Sequence, residues 1–196
     1  MIYSSDDLAL KFSDYTDVKG KIRREVQAGR LIPVSHGLYE TDADVSGMYL
    51  AGRIYGPSYL SFDYALARYG LIPEAVYHTY TSATFKKNKS KKYENPFGFF
   101  TYRDIPAAVY PLEIALYQEN GYSYQIATPE KALCDKLYSL PPVRNKGDLN
   151  ALLFEDLRLD EQELQKLNAD TINALCPLYR STNLTLLNKF FRKKPL

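Results

Sequence analysis

Residues 16–40 read TDVKGKIRREVQAGRLIPVSHGLYE, and this run predicts an amphipathic helix that leads into a β-hairpin. Thr16 is a favoured N-cap residue, and Gly29 stands where helices often end in the left-handed conformation. At 100° per residue, the apolar positions form one stripe, made of Val18, Ile22 and Val26. We expect this stripe to pack against the protein while the opposite side of the helix stays basic.

The flanking residues extend this pattern to a larger unit. Ser4 can cap a short helix that runs to residue 12, and residues 31–34 and 38–40 have the composition of two short strands. Gly37 supplies the positive φ that the turn between these strands needs. A short helix, a turn, a basic helix and a hairpin in this order predict a winged helix-turn-helix, whose second helix lies in the major groove of DNA.

The predicted DNA contacts are the polar side chains of the basic helix and of the hairpin tip. Cationic groups neutralise phosphates, and Arg23 or Gln27 can reach base edges with paired hydrogen bonds. Gly20 on the same side would let the backbone approach a phosphate closely. The candidate set is Lys19, Lys21, Arg23, Arg24, Gln27, Arg30 and His36. A solvated helix face explains the same pattern equally well, and His36 is more simply an exposed turn residue.

A second basic feature is the run KKNKSKK at residues 86–92, which the net charge of +2 conceals. We expect a loop between two strands, kept extended and mobile by the repulsion between its lysines. It forms a secondary basic patch for nucleic acid or an acidic protein surface, made of Lys86, Lys87, Lys89, Lys91 and Lys92. A solubilising loop is the alternative interpretation. A weaker cluster near the end of the sequence comprises Lys189, Arg192, Lys193 and Lys194.

The rest of the chain predicts a second α+β unit, so we expect two domains, at residues 1–45 and 46–196. The second unit should contain a small, mostly antiparallel sheet and a helical C-terminal part. The expected strands are residues 75–82, 97–105, 112–117 and 122–127. The expected helices are residues 49–55, 62–69, 129–140, 148–154, 160–167, 170–175 and 183–192.

Composition excludes several classes of protein. With 196 residues, 45% hydrophobic and 24% charged, the chain matches globular usage rather than collagen or global disorder. Its apolar runs are too short to cross a bilayer, and residues 1–7 lack the pattern of a secretory signal, so we expect a cytoplasmic protein without membrane association. Cys134 and Cys176 should be buried small hydrophobes, with a disulfide as the lesser alternative. Two cysteines and two distant histidines do not suit a zinc site, so we expect no metal and no cofactor.

Catalytic motifs are sparse. The sequence has no phosphate-binding glycine loop with a lysine, no nucleophile elbow and no histidine pair four residues apart. Asp104 and Glu113 are arranged somewhat as in metal-dependent nucleases, but Ala115 stands where such a site needs a lysine. We therefore expect no enzymatic activity.

Three stretches resemble the AbiEi-type antitoxins of type IV toxin–antitoxin systems, which act in abortive infection and phage defence. They are KIRREVQAGRLI at residues 21–32 running into GLY at 37–39, YLSFDYALARYGLI at 59–72, and IATPEKALCD at 126–135. The resemblance covers most of residues 1–140, and the three stretches in this order are fairly specific to the family.

The resemblance implies an N-terminal winged-helix domain that represses its own operon by binding operator DNA, with a homodimer on DNA as one arrangement. It also implies a C-terminal domain that opposes a partner toxin of nucleotidyltransferase type. On matching positions, DNA contact is assigned to residues 17–28 and to the hairpin around His36. A different class of function stays open, namely a protein-interaction module whose degenerate winged helix no longer binds DNA.

Overall fold

A computed structural model describes residues 1–74 and 77–192, and these residues form an α+β fold. A three-stranded antiparallel sheet has the order β1-β3-β2, and a six-stranded mixed sheet has the order β6-β7-β5-β4-β9-β8. The strands are β1 Ile2–Ser4, β2 Ile32–Ser35, β3 Leu38–Glu40, β4 Tyr59–Leu60, β5 Thr79–Thr84, β6 Lys91–Asn95, β7 Gly98–Asp104, β8 Ile114–Glu119 and β9 Tyr122–Ala127. Residues 75–76 of the predicted strand 75–82, and Lys193 and Lys194 of the basic cluster, lie outside the described residues.

The first part of the chain has the predicted order of elements. Helix α1 spans Ser5–Lys11, and Ser4 caps it in a reciprocal pair with Asp7, whose backbone amide donates to the Ser4 hydroxyl. Helix α2 spans Val18–Gln27 and the hairpin β2–β3 follows it, with Gly29 and Gly37 at φ values of 71° and 69°. The predicted Thr16 cap is wrong, because the Asp17 carboxylate accepts from the Gly20 amide at 2.8 Å.

Strand β1 was not predicted, and it pairs with β3 so that the hairpin becomes a three-stranded sheet. The amide of Ser5 donates to the carbonyl of Gly37 at 2.8 Å, which fixes the start of α1 on the hairpin turn. Because both contacts join residues more than thirty positions apart, the hairpin and α1 are held as one unit.

The six-stranded sheet is larger than predicted and mixed, with three antiparallel and two parallel strand pairs among the described residues. Strand pairs β4–β9 and β5–β7 are parallel, whereas β4–β5, β6–β7 and β8–β9 are antiparallel. The predicted hairpin at 112–117 and 122–127 is confirmed as β8–β9. Two strands were not predicted, namely β4, which has two residues, and β6, whose first residues lie inside the lysine run.

Helices cover the sheet and fill the C-terminal part, as predicted. They are α3 Ala51–Ile54, α4 Phe62–Arg68, α5 Pro129–Tyr138, α6 Lys146–Ala151, α7 Glu161–Lys166, α8 Ala169–Leu175 and α9 Thr182–Arg192. The predicted helix 49–55 is wrong in its bounds, because a 3-10 turn at Gly47–Tyr49 precedes α3. Helix α6 begins after an Asn145 cap and continues into a π-helical turn at Leu152–Asp156, which replaces the single helix predicted at 148–154.

One contiguous apolar core joins the six-stranded sheet, the helices and part of the hairpin. Val34 and Leu38 of the hairpin belong to this core, whereas Leu8 and Leu31 are buried outside it. Cys134 and Cys176 are free and buried, as predicted for small hydrophobes. In the described part of the chain, no helix combines the length and apolar character that a membrane span requires.

Candidate nucleic-acid interface

Helix α2 does not pack through its apolar stripe in the predicted way. Val18, Ile22 and Val26 are half-buried, and none of them joins the contiguous core. Among the ten residues of α2, all of which are described, the single buried side chain is the carboxylate of Glu25. The helix is therefore anchored as much by a charged residue as by its apolar side.

Glu25 holds two of the predicted DNA contacts in internal ion pairs. Lys21 Nζ lies 2.6 Å from Glu25 Oε1, and the Arg30 guanidinium reaches both carboxylate oxygens, with Nη2 at 3.1 Å from Oε1. Hydrogen bonds first from Arg30 and then from Lys21 lower the pKa of Glu25 from its ordinary 4.5 to about 2. Lys21 also lies over the ring of Tyr15 at 4.8 Å. These two cations hold the end of α2 and the preceding turn through Glu25, and their direct contact with DNA stays a prediction.

The remaining polar residues of α2 stay exposed on one side of the helix. Lys19, Arg23 and Gln27 are four residues apart and fall within an arc of about 80°, and Arg24 lies next to them. All four are exposed, and within residues 1–74 and 77–192 the three cations make no ion pair. This side of α2 therefore presents three uncompensated positive charges and one amide to solvent.

Gly20 has a local explanation that the sequence did not suggest. A Cβ atom at this position would lie 1.8 Å from Asp17 Oδ2, so the glycine leaves room for the carboxylate that caps the helix. Capping, rather than close approach to a phosphate, accounts for the residue.

The hairpin turn places His36 at its exposed tip, beside Gly37. The hairpin is attached to the six-stranded sheet through Asn95, whose side-chain amide donates to the Val34 carbonyl at 2.8 Å. Asn95 ends the edge strand β6, so the hairpin lies against the edge of the larger sheet. His36 thus has a fixed position relative to both α1 and this sheet.

The lysine run is folded rather than extended, which corrects the predicted mobile loop. Asp104 organises it, because its carboxylate accepts from the backbone amides of Lys87 and Asn88 at 2.7 and 2.6 Å and from the Thr84 hydroxyl at 2.6 Å. Lys87 Nζ donates to the Gly56 carbonyl at 3.1 Å and lies 5.2 Å from the centre of the Tyr55 ring. Lys87 is therefore used within the fold.

The other lysines of the run differ in their positions. Lys86 and Lys89 remain exposed in the loop, and Lys91 and Lys92 start the edge strand β6. None of these four lysines has an ion-pair partner in the part of the chain that the structure describes. The secondary basic patch thus keeps four of its five predicted members.

Asp104, one of the two residues of the nuclease alternative, is engaged by hydrogen bonds of the fold. Its Oδ2 atom accepts from two backbone amides of the lysine run, and its Oδ1 atom accepts from the Thr84 hydroxyl. In residues 1–74 and 77–192, no group of three or more His, Cys, Asp or Glu side chains is placed to hold a metal ion.

A polar network that sequence analysis missed lies beneath the sheet. Lys131 and Asp135 face each other one turn apart on α5, with Nζ 3.3 Å from Oδ1, and both are fully buried. Lys131 Nζ donates to the Val109 carbonyl and to the Tyr179 hydroxyl, each at 2.8 Å. Burial lowers the pKa of Lys131. The sequence did contain a signal, since a lysine and an aspartate four residues apart lie on the same side of a helix.

Three hydroxyl groups complete the network around Asp135. Tyr179 donates to Oδ1 at 2.5 Å, and Tyr59 and Ser61 donate to Oδ2 at 3.0 and 2.7 Å. Burial raises the pKa of both tyrosines, which keeps them protonated as donors. Because every member is at most 2% exposed, the network ties β4, α5 and the residues before α9 together and is closed to a ligand.

Comparison with known proteins gives a structural likeness alone. No family model and no curated protein matches the chain. The structure is similar to that of the RV2827C protein from Mycobacterium tuberculosis, with a TM-score of 0.54 and 14% sequence identity. The match covers 100% of this chain and 78% of that chain. At this identity the likeness concerns the fold.

Proposed function

We propose that this protein is an AbiEi-type antitoxin and DNA-binding autorepressor of a type IV toxin–antitoxin operon, working in the cytoplasm. The observation that carries the proposal is the exposed side of α2, where Lys19, Arg23 and Arg24 have no ion pair among the described residues. Internal carboxylates neutralise other cations of the same unit, so the charge left on this side is available to phosphates.

The first unit acts as a winged helix-turn-helix in this proposal. Helix α2 is the recognition helix, and its ten residues give a length of about 15 Å, which suits a major groove about 12 Å wide. The β2–β3 hairpin is the wing, with His36 beside the flanking backbone. Lys21 and Arg30 set the position of α2 through Glu25, and the direct contacts are Lys19, Arg23, Arg24 and Gln27. A homodimer would present two such helices to an operator with two half-sites.

The antitoxin role comes from the resemblance of the three sequence stretches to the AbiEi family. The partner is a nucleotidyltransferase-type toxin, opposed directly or indirectly by residues 46–196. This second unit shares the main core with the hairpin through Val34 and Leu38. The division at residue 45 therefore stays a prediction about function rather than a boundary between separate cores.

The proposal is tested by binding of the full chain to duplex DNA from the region upstream of its own gene. We expect retardation in a gel, and the double variant Arg23→Ala, Arg24→Ala should weaken it by at least about tenfold, because two charge-assisted contacts are lost. Arg144→Ala, Lys146→Ala is the control that removes the same charge, since both residues are exposed cations, Arg144 between α5 and α6 and Lys146 as the first residue of α6. Equal affinity of the Arg23→Ala, Arg24→Ala variant and the control would exclude the proposed contact surface.

The protein-interaction alternative is favoured by apolar surface on the same unit. Leu10 of α1 is 78% exposed and Tyr15 is 48% exposed, and the stripe of Val18, Ile22 and Val26 is half-buried. Exposed apolar side chains in one region suit a protein partner. Retention of the nucleotidyltransferase in a pull-down, without retardation of any duplex at low salt, would favour this alternative over the repressor.

A further inference from the structure

A cleft of about 580 Å³ opens between the lysine run and one face of the six-stranded sheet. Lys92 pairs with Thr101 across strands β6 and β7, and Arg103 follows two residues later on β7. Because side chains alternate along a strand, Thr101 and Arg103 share a face with Lys92. Phe100 and Tyr102, which alternate with them, are completely buried on the other face. Thr101 and Arg103 therefore line the cleft from the polar face of the sheet, whereas Lys91 and Asp104 line it from the alternate positions of the two strands.

The charge around this cleft is not balanced within the described residues. Arg103, Lys89 and Lys92 are exposed cleft residues that make no ion pair in the described chain, and Lys91 also lines the cleft. Asp104 is the single carboxylate in the lining, and both its oxygens already accept hydrogen bonds, Oδ2 from the Lys87 and Asn88 amides and Oδ1 from the Thr84 hydroxyl. Several cations around one opening repel each other, so an anion that enters lowers the electrostatic energy.

A smaller pocket adjoins the cleft, and its cation differs from Arg103 in having a carboxylate partner. It shares Thr101, Arg103 and Ser139 with the cleft, and its own cation, Lys136, forms an ion pair with Asp63 at 2.6 Å. Lys136 is therefore neutralised. Arg103 is not, although it lies at the junction of both pockets beside the hydroxyl of Thr101.

We propose that this cleft is a phosphate-binding site centred on Arg103, with Lys92, Lys89 and the Thr101 hydroxyl as further donors. A guanidinium binds two oxygens of a phosphate at once, and ammonium groups around it supply additional charge. The ligand is a phosphate group, carried either by a free nucleotide-like molecule or by a nucleic-acid backbone. This site does not depend on α2, so it stands or falls separately from the proposed repressor function.

The test titrates the full chain with inorganic pyrophosphate and, separately, with duplex DNA, at matched ionic strength. The cleft variant carries Arg103→Gln and Lys92→Gln, both surface substitutions. The control variant carries Arg180→Gln and Lys189→Gln, which remove the same charge from exposed positions outside the cleft. Circular dichroism melting curves of both variants check that each is folded.

We expect the cleft variant to lose at least about tenfold in affinity for one of the two probes, while the control stays within about twofold. A loss confined to pyrophosphate indicates a free phosphate ligand. A loss of affinity for duplex DNA indicates backbone phosphates. In that case pyrophosphate either competes with the DNA or does not bind by itself. If the cleft variant and the control behave alike towards both probes, the proposed site is excluded.

Discussion

The side-chain amide of Asn95 donates a hydrogen bond to the backbone carbonyl of Val34, with a nitrogen–oxygen distance of 2.8 Å. The Asn95 carbonyl oxygen accepts at the same time from the amide of Phe97, also at 2.8 Å. One residue therefore shapes the turn after β6 and attaches the hairpin to the sheet edge. The position of the hairpin follows from this contact, together with the burial of Val34 and Leu38 in the shared core.

We expect Asn95→Asp to separate these two roles. The aspartate keeps an acceptor for Phe97 but no longer donates to Val34, so the free energy of unfolding should fall by about 1 kcal/mol. The substitution should increase the hydrogen-exchange rate of backbone amides in residues 32–40 more than that of backbone amides in β5 and β7. If exchange becomes faster by the same factor across the chain, or does not become faster anywhere, the contact does not hold the hairpin.

Glu25 should make the stability of the protein sensitive to acid. Its pKa is lowered to about 2 by Arg30 and then Lys21, whereas an unfolded glutamate titrates near 4.5. The stabilisation is therefore fully present above pH 4.5 and is lost as the pH falls towards 2. We expect Glu25→Gln to have a lower Tm than the natural chain at pH 7. This difference in Tm should shrink as the pH falls from 4.5 to 2. A Tm difference that is independent of pH over this interval would contradict the ion pairs seen here.

The buried pair Lys131 and Asp135 should show strong coupling. Lys131→Met leaves Asp135 without its cation, and Asp135→Leu leaves the Lys131 ammonium with neutral partners, so each should destabilise by about 3 to 5 kcal/mol. The double variant should lose less than the sum of the two, because no unpaired charge remains. Urea denaturation of the four proteins in the cycle measures this, and simple additivity would show that the two charges act independently.

Local signals predicted the parts of the fold that depend on neighbouring residues. Ser4 caps α1 and Thr128 caps α5, because an N-cap side chain binds backbone amides two or three residues ahead. Gly29 and Gly37 adopt the expected positive φ for a similarly local reason. The prediction of Thr16 as the cap of α2 was wrong, because Asp17 occupies that position and aspartate suits it as well as threonine does.

Features that depend on distant partners were not predictable from one sequence. Strand β6 was missed because Lys91 and Lys92 have low strand propensity, and pairing with Thr101 and Tyr102 overrides it. The Lys87 loop was expected to be mobile, since its organiser, Asp104, lies 17 positions further along the chain. The ion pairs of Glu25 are different, because Lys21 and Arg30 lie only four and five residues away and this spacing permits both contacts. Which cations of the first unit stay free depends on the burial of Glu25, and only the structure reveals that burial.

In the proposed complex, the exposed side of α2 contacts DNA, whereas Lys21 and Arg30, which pair with Glu25, do not. The most direct test of this arrangement is the slope of the logarithm of the duplex affinity against the logarithm of the salt concentration. We expect Arg23→Ala and Arg24→Ala each to reduce the slope by about 0.9 if the side chain binds a phosphate. Lys21→Ala should leave the slope unchanged. Equal slopes for Arg23→Ala, Arg24→Ala and the natural chain would contradict the proposed contact of α2 with DNA. A reduced slope for Lys21→Ala alone would contradict it as well.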